Sequence, residues 1–264
     1  MELGGKICVV TGASSGIGRR TALDLAAEGA VVCVAARREE RLKGLVDEMG
    51  GGEHSFVVTD VSVREDVRTL ADHVRDRYGR CDVLVNNAGV GSNALFDGPK
   101  AADEIERVMR TNFFGAVYCT AELLELLLRA TPSHIVNVAS MAGRLGTGSG
   151  AYSASKFALV GWSECLYFEL AERDVWVSCI EPGFIPTEGF PQDDIARDRV
   201  LRFMLGSVEG VSQAIRDAIR NRKMERVEPR WYYLLQLPRL LTPPFYRLVQ
   251  QRVVAPRQRR RASR

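Results

Sequence analysis

Ile7-Cys8-Val9-Val10-Thr11-Gly12-Ala13-Ser14-Ser15-Gly16-Ile17-Gly18 is the stretch that decides the fold. Its first four residues form a continuous apolar run, as a strand covered on both faces requires. Three glycines follow, and Leu23, Leu25, Ala26 and Ala27 then continue a helical pattern. Glycines between a first strand and a first helix let the backbone approach a pyrophosphate closely. The helix N-terminus adds unpaired N–H groups and the positive end of its dipole. The spacing is G-x-x-x-G-x-G rather than the commoner G-x-G-x-x-G.

Outward from this stretch, strands and helices alternate. Strands are expected at Val31–Ala35, Ser55–Val58, Asp82–Val85, His134–Val138 and Val175–Ile180, with a short last one near Arg226–Glu228. Helices are expected over Leu42–Met49, Glu65–Arg77, Ala102–Ala130 (one long helix stopped by Pro132-Ser133), Tyr152–Glu172 and Val208–Asn221, the last capped by Ser207. Such alternation forces right-handed crossovers, so the fold class is α/β: a single Rossmann-type, doubly wound parallel sheet with helices on both faces. Ligands of such sheets bind at the carboxyl ends of the strands. Gly12, Asn86, Ser140 and Pro182 all follow strands and gather along that edge. Residues 1–228 read as the dinucleotide-binding catalytic domain, and residues 229–264 as a basic, aromatic-rich extension.

The end of the second strand bears on the ligand. An acid there would bind the ribose 2′-hydroxyl of NAD. This chain has Ala36, Arg37 and Arg38 instead. No carboxylate repels a 2′-phosphate, and guanidinium groups can hold one, which favours NADP(H) over NAD(H). The plainer alternative is that both arginines merely open an exposed helix, since Glu39, Glu40 and Arg41 follow.

Tyr152 and Lys156 stand four residues apart, twelve residues after Ser140. Positions i and i+4 share a helix face, so a lysine ammonium sits one turn from a phenol. A nearby positive charge favours the phenolate and draws its pKa toward the working range, and a serine hydroxyl in reach can hold a carbonyl oxygen.

With these motifs in order, the chain resembles the classical short-chain dehydrogenase/reductases from about Lys6 to Pro186. The carriers are the glycine-rich turn, Asp60-Val61, Asn86-Asn87-Ala88-Gly89, Asn112, Ser140, Tyr152 with Lys156, and Pro182-Gly183. The resemblance implies a role for each. Gly12, Ser14, Ser15, Gly16, Ile17 and Gly18 belong to the cofactor turn. Asp60 bonds the adenine amino group, with Val61 beside it. Asn86, Ala88 and Gly89 line the cofactor and steady the central sheet. Asn112 holds a water that links Lys156 to solvent, Ser140 polarises the substrate carbonyl, and Tyr152 is the acid/base. Lys156 also bonds the nicotinamide ribose. Pro182, Gly183, Ile185 and Thr187 hold the nicotinamide. Ala139 is a small departure, where relatives often carry a second serine. The implied activity is NADP(H)-dependent interconversion of a carbonyl and an alcohol, on a lipophilic ketone or aldehyde. Two alternatives stay open, an NAD-dependent alcohol dehydrogenase and a nucleotide-sensing module without turnover. Against the second stands the intact set Asn112, Ser140, Tyr152 and Lys156. The resemblance also implies a homodimer or homotetramer built on the helices carrying Asn112 and Tyr152.

Composition sets the outer bounds. The 264 residues are 46% hydrophobic and 26% charged, ordinary for one globular domain. Six cysteines without a C-x-x-C pair read as reduced core or near-core residues. Three histidines lack metal-ligand spacing, so no metal is expected. There is no run of about 18 uncharged apolar residues to span a membrane. The first strand starts close to Met1, so no leader is expected; the reduced cysteines lead to the expectation of a cytoplasmic protein, with peripheral membrane contact left open.

Two stretches lie outside these motifs. Residues 184–206 fall where relatives place a mobile lid, and Phe184, Phe190, Ile195, Val200, Leu201, Phe203, Met204 and Leu205 would give it an apolar pocket wall, or ordinary packing of a short helix. From Pro229 onward there are nine arginines and no acid, against a whole-chain charge of +3, so residues 1–228 carry −6. Trp231, Tyr232, Tyr233 and several leucines interleave with these arginines, while Pro238, Pro243 and Pro244 break the run. A peripheral contact with an anionic membrane surface and a packing role as subunit contact or cap over the pocket are equally consistent. No nucleic-acid recognition fold is visible.

Overall fold

β1 (Ile7–Thr11) lies at the centre of a seven-stranded sheet with every pairing parallel. The computed structural model describes residues 1–92, 94–146, 149–192 and 202–254, without the side chains of residues 253 and 254. The other strands are β2 (Val31–Ala36), β3 (Ser55–Val58), β4 (Val83–Asn86), β5 (Ser133–Val138), β6 (Val175–Pro182) and β7 (Glu225–Glu228), ordered β3-β2-β1-β4-β5-β6-β7. The order reverses between β1 and β4, which opens the crevice where such sheets bind ligands.

Alternation along the buried strands assigns side chains to two cores. Cys8, Val10, Val32 and Val34 face α1 (Gly16–Ala27) and α7 (Val208–Asn221), packing with Leu25, Val211 and Ile215. Val9, Cys33 and Leu84 face the other way, toward Val67 and Leu70 of α3 (Arg64–Tyr78) and Leu123 and Leu127 of α5 (Gly115–Arg129). Each buried Leu or Val contributes about 1.5–3 kcal/mol of transfer free energy. The remaining helices are α2 (Glu39–Glu48), α4 (Lys100–Met109), α6 (Gly150–Ala171), α8 (Leu237–Leu241) and α9 (Pro243–Val249). Acids in the first turn of α3, Glu65 and Asp66, and arginines in its last, Arg75 and Arg77, complement the helix dipole.

Three expectations need correction. The single helix over Ala102–Ala130 is two helices joined by a π turn at Arg110–Phe114. The extra residue in that turn re-aims Asn112 into the interior, a common use of π bulges. Of the six cysteines, five are buried but Cys165 is exposed on α6. Thirdly, the second helix begins at Glu39 rather than Leu42, directly after Arg38. Among the pocket-wall residues expected from the sequence, Ile195, Val200 and Leu201 lie outside the described residues, as does the end of the basic tail from Ala255 on.

Candidate active site

Gly12 ends β1 with φ +66, and a Cβ there would meet the Ala88 Cα at 2.7 Å. A Cβ on Gly18 would come within 2.6 Å of the Gly12 carbonyl oxygen. The turn is thus bare backbone because neighbouring main chain and the Asn87 amide fill the space. Asn87 secures it from below. Its Nδ2 donates to the carbonyls of Thr11 at 3.0 Å and Gly12 at 3.3 Å, while the Thr11 hydroxyl accepts from the backbone N–H of Asn87 at 3.0 Å and of Ala88 at 3.1 Å. Asn87 was legible only as part of a motif, without a role.

Arg38 reaches over this turn, its Nη2 donating to the Ser14 hydroxyl at 2.9 Å and the Ser15 hydroxyl at 2.8 Å. Its Nη1 donates to Glu188 at 2.8 Å, and Arg41 pairs with the same carboxylate. Ser14, Ser15, Gly16, Arg19, Arg41 and Glu188 border an open cleft of about 510 Å³ between the turn and α2. Arg37 points into solvent, 3.8 Å from Asp60. Asp60 itself accepts from the Ser62 amide and hydroxyl at 3.0 and 2.7 Å, and Val61 is buried against Gly115.

Ser140 follows β5. Its hydroxyl caps a short 3-10 turn, accepting from Ala142 N at 3.1 Å, and donates to the Pro182 carbonyl at 3.4 Å. Tyr152 lies in the first turn of α6, where the Ser149 side chain caps its N–H at 3.2 Å. The Ser140 hydroxyl is near enough to the phenol to lower its pKa. Lys156 is buried, its Nζ 5.9 Å from the Tyr152 ring centroid and donating to Val138 O at 2.8 Å. Asn112 is clamped, accepting from Val90 N at 2.8 Å and donating to Val90 O and the Ser155 hydroxyl at 3.0 Å each. The Gly89 position gauges how near the two are: a Cβ there would lie 3.4 Å from Asn112 Oδ1 and 3.7 Å from Lys156 Nζ. Ser155 had been no candidate, although it stands beside Lys156 in sequence.

Electrostatics depart from expectation. Enclosure pushes the Tyr152 phenol up to about 12, the Ser140 hydroxyl offsetting only part of this. Burial pushes Lys156 down to about 8. Desolvation therefore dominates, and the phenol lies above its ordinary value rather than below it.

Asn86 does not point into the crevice. Its amide donates to Asn137 Oδ1 at 2.9 Å and Thr120 Oγ1 at 3.1 Å, a buried network tying β4, β5 and α5. Past β6, Gly183 N donates to Glu228 O at 2.8 Å, and Ile185 is buried. The Thr187 methyl faces Gly16, and Thr187 closes a turn with Phe190. Phe190 lies on the Tyr152 ring at 5.4 Å, an aromatic contact the apolar count alone could not place. Gly183 is tightly enclosed, because the Tyr232 ring occupies the place of a Cβ.

Known proteins agree with this geometry. Residues 6–196 match the family model for short chain dehydrogenases. A 3-oxoacyl-acyl-carrier-protein reductase of Thermotoga maritima is 36% identical over 223 residues, 81% of this chain and 90% of that protein. An 11-beta-hydroxysteroid dehydrogenase of Arabidopsis thaliana is 31% identical over 257 residues, covering 92% of this chain and 73% of that one. A short-chain dehydrogenase/reductase from Burkholderia phymatum, solved in complex with NAD, superposes with a TM-score of 0.76 at 29% identity, covering 95% of each chain. Since the family match runs from the start of β1 past the end of β6, this chain belongs to the classical short-chain dehydrogenase/reductases, a family of NAD(P)-dependent oxidoreductases.

Proposed function

We propose that the protein interconverts a carbonyl and an alcohol on a lipophilic substrate, using NADP(H). The observation that carries the reading is the convergence of Ser140, Tyr152, Lys156 and Asn112 beside the bare glycine turn.

The residues fit a dinucleotide. Neighbouring backbone and the Asn87 amide fill the Cβ positions of Gly12 and Gly18, so the main chain is open to close approach, and hydroxyls and guanidinium groups converge over it. Gly12, Ser14, Ser15, Gly16, Ile17 and Gly18 would hold the pyrophosphate, with Arg37 and Arg38 on a 2′-phosphate. Asp60 and Val61 would meet the adenine. Ala88, Gly89, Pro182, Gly183, Ile185 and Thr187 would line the nicotinamide half, steadied by Asn86 beneath the sheet. The bound nicotinamide supplies or accepts the hydride.

The chain's own groups do the rest. In the reducing direction the Ser140 hydroxyl donates a hydrogen bond to the substrate oxygen, and Tyr152 donates its proton to the same atom. Lys156, positively charged below about pH 8, stabilises the phenolate left behind. Asn112 sets the position of the helix that carries both, through Ser155. Phe190 lies against the Tyr152 ring, an apolar neighbour that supports a lipophilic substrate. Exposed Phe114 and Phe168, beside Asn112 and on α6, support a homo-oligomer. Free, mostly buried cysteines support a cytoplasmic location.

One observation favours the NAD(H) alternative: Glu188 already neutralises Arg38 and Arg41. Both readings are tested by following nicotinamide absorbance across a panel of aldehydes, ketones and alcohols with each cofactor. NADPH is expected to support the faster turnover, with Tyr152→Phe losing roughly 10²–10⁴-fold. Near-normal turnover of that variant would refute the assigned proton donor. Arg37→Asp is expected to weaken NADPH selectively; equal loss for NADH would refute the assigned phosphate contact.

A further inference from the structure

The stretch after β7 has two unlike faces. Arg230–Gln236 forms a 3-10 turn that leads into α8 and α9. Its inner face is spent on the enzyme. Tyr232 is 1% exposed, and Trp231, Leu235 and Tyr246 pack with it against Met141, Leu145 and Val227. Arg239 also turns inward, lying 4.9 Å over the Phe157 ring and donating to the Arg144 carbonyl. The outer face is apolar and uncovered: Leu234 is 63% exposed, Leu240 69%, Leu241 74% and Phe245 57%. Around it Arg230, Arg247 and Arg252 are exposed, and no acid occurs from Pro229 to the end of the chain.

Leucines and a phenylalanine grouped in this way need a cover. A second copy of the same face is a poor one, because an isologous contact brings like charges together, arginines against arginines with no carboxylate to separate them. A surface that is apolar within and anionic at its rim satisfies both features at once. The proline-broken helices are five and seven residues long, and no helix among the described residues is long and apolar enough to cross a membrane. Short helices with apolar residues on one side and arginines beside them lie in the plane of an interface rather than through it.

We propose that the outer face of residues 234–252 docks on an anionic lipid surface, with Leu234, Leu240, Leu241 and Phe245 entering the acyl boundary and Arg247 and Arg252 meeting headgroup phosphates. The inner face of the same stretch packs with Met141, Leu145 and Phe184 in a buried cluster, which fixes the outer face to the body of the enzyme. The docking stands independently of the proposed reaction.

The test is co-sedimentation of the full chain with vesicles of phosphatidylcholine alone or of phosphatidylcholine with about one quarter phosphatidylglycerol. Binding is expected only to the anionic vesicles, and it weakens in about 0.5 M salt. Leu241→Glu/Phe245→Glu is expected to lose binding by at least about tenfold, with unchanged circular dichroism and light-scattering mass. If that variant folds poorly, Arg247→Gln/Arg252→Gln is expected to weaken anionic binding about fivefold per arginine while leaving the apolar face intact. Failure of the unaltered protein to bind anionic vesicles, or equal binding by both variants, overturns the proposal. So does a wild-type oligomer that Leu241→Glu/Phe245→Glu dissociates, which would assign the face to a second copy.

Discussion

Glu188 holds Arg38 across the mouth of the nucleotide cleft, Oε1 to Nη1 at 2.8 Å, though the two lie 150 residues apart in sequence. The carboxylate ties the segment after β6 to the turn after β2, and it lies where a 2′-phosphate would seek the same guanidinium. Because the pair is exposed, it is worth at most about 1 kcal/mol. Glu188→Gln is therefore expected to tighten NADPH about two- to fivefold while leaving NADH nearly unchanged, measured by fluorescence titration of each cofactor. Weaker binding of NADPH would mean that the tie shapes the site more than it competes for it.

Lys156 gives opposite pH signs to turnover and stability. Its folded pKa is pushed down to about 8 from the ordinary 10.5. Between these values the unfolded chain holds the extra proton, so stability rises with pH across that window, by about 3 kcal/mol in all. Reductive turnover is expected to fall over the same rise, because neutral Lys156 no longer stabilises the Tyr152 phenolate. A pH–rate profile and urea titrations from about pH 7 to about pH 10 check both, and Lys156→Met should remove the stability component. A flat rate profile would leave Lys156 without its electrostatic role.

Gly183 and Tyr232 predict a coupled pair. A Cβ at Gly183 would stand 2.7 Å from Cδ2 and Cζ of the Tyr232 ring, whose hydroxyl donates to Met204 O at 2.5 Å. Gly183→Ala is expected to cost about 1–3 kcal/mol through overpacking. Tyr232→Leu on that background should recover part of the loss, seen as a non-additive double-mutant cycle in thermal melts. Strict additivity would show that the two do not compete for the space.

Arg144 and Glu181 are a partly buried ion pair, the carboxylate wholly enclosed and accepting from Nε at 3.0 and 3.1 Å and from Nη2 at 2.8 Å, while the half-buried guanidinium also pairs with Glu225. Burial pushes Glu181 up to about 7 even with Arg144 beside it. Arg144→Met is expected to destabilise by about 1–3 kcal/mol, since Glu181 can take up a proton once its partner is gone, and Arg144→Met/Glu181→Leu to regain part of it. Chemical denaturation of both variants checks this. A double variant as weak as the single would point to lost packing rather than an orphaned charge.

The sequence disclosed what local pattern controls. Continuous apolar runs such as Val31–Ala35 mark strands buried on both faces, and the glycines after Val10 mark the turn, because each follows from residues a few positions apart. The π turn at Arg110–Phe114 was hidden: no proline or glycine interrupts Ala102–Phe114, and the bulge arises from where Asn112 finds Val90 and Ser155. Glu188 on Arg38 and Tyr232 beneath Gly183 were hidden for the same reason, being long-range contacts that only the crossovers create. The Tyr152 phenol was misjudged because spacing reveals its charged neighbour but not how far both are removed from water. In the extension, composition left membrane contact and packing in balance, and the separation of Tyr232 from Leu241 onto opposite faces accommodates both.

Tyr232 is also why the chain's last stretch is not a detachable appendage. Its ring is a keystone under the exit of β6, beside the proposed nicotinamide seat. Clipping the polypeptide after Glu228 would hollow out the floor of the reaction chamber, so protease nicking there and loss of catalysis should go together. The buried ring and the exposed leucines thus belong to one short run of chain, with the ring serving the enzyme's interior and the leucines its surface.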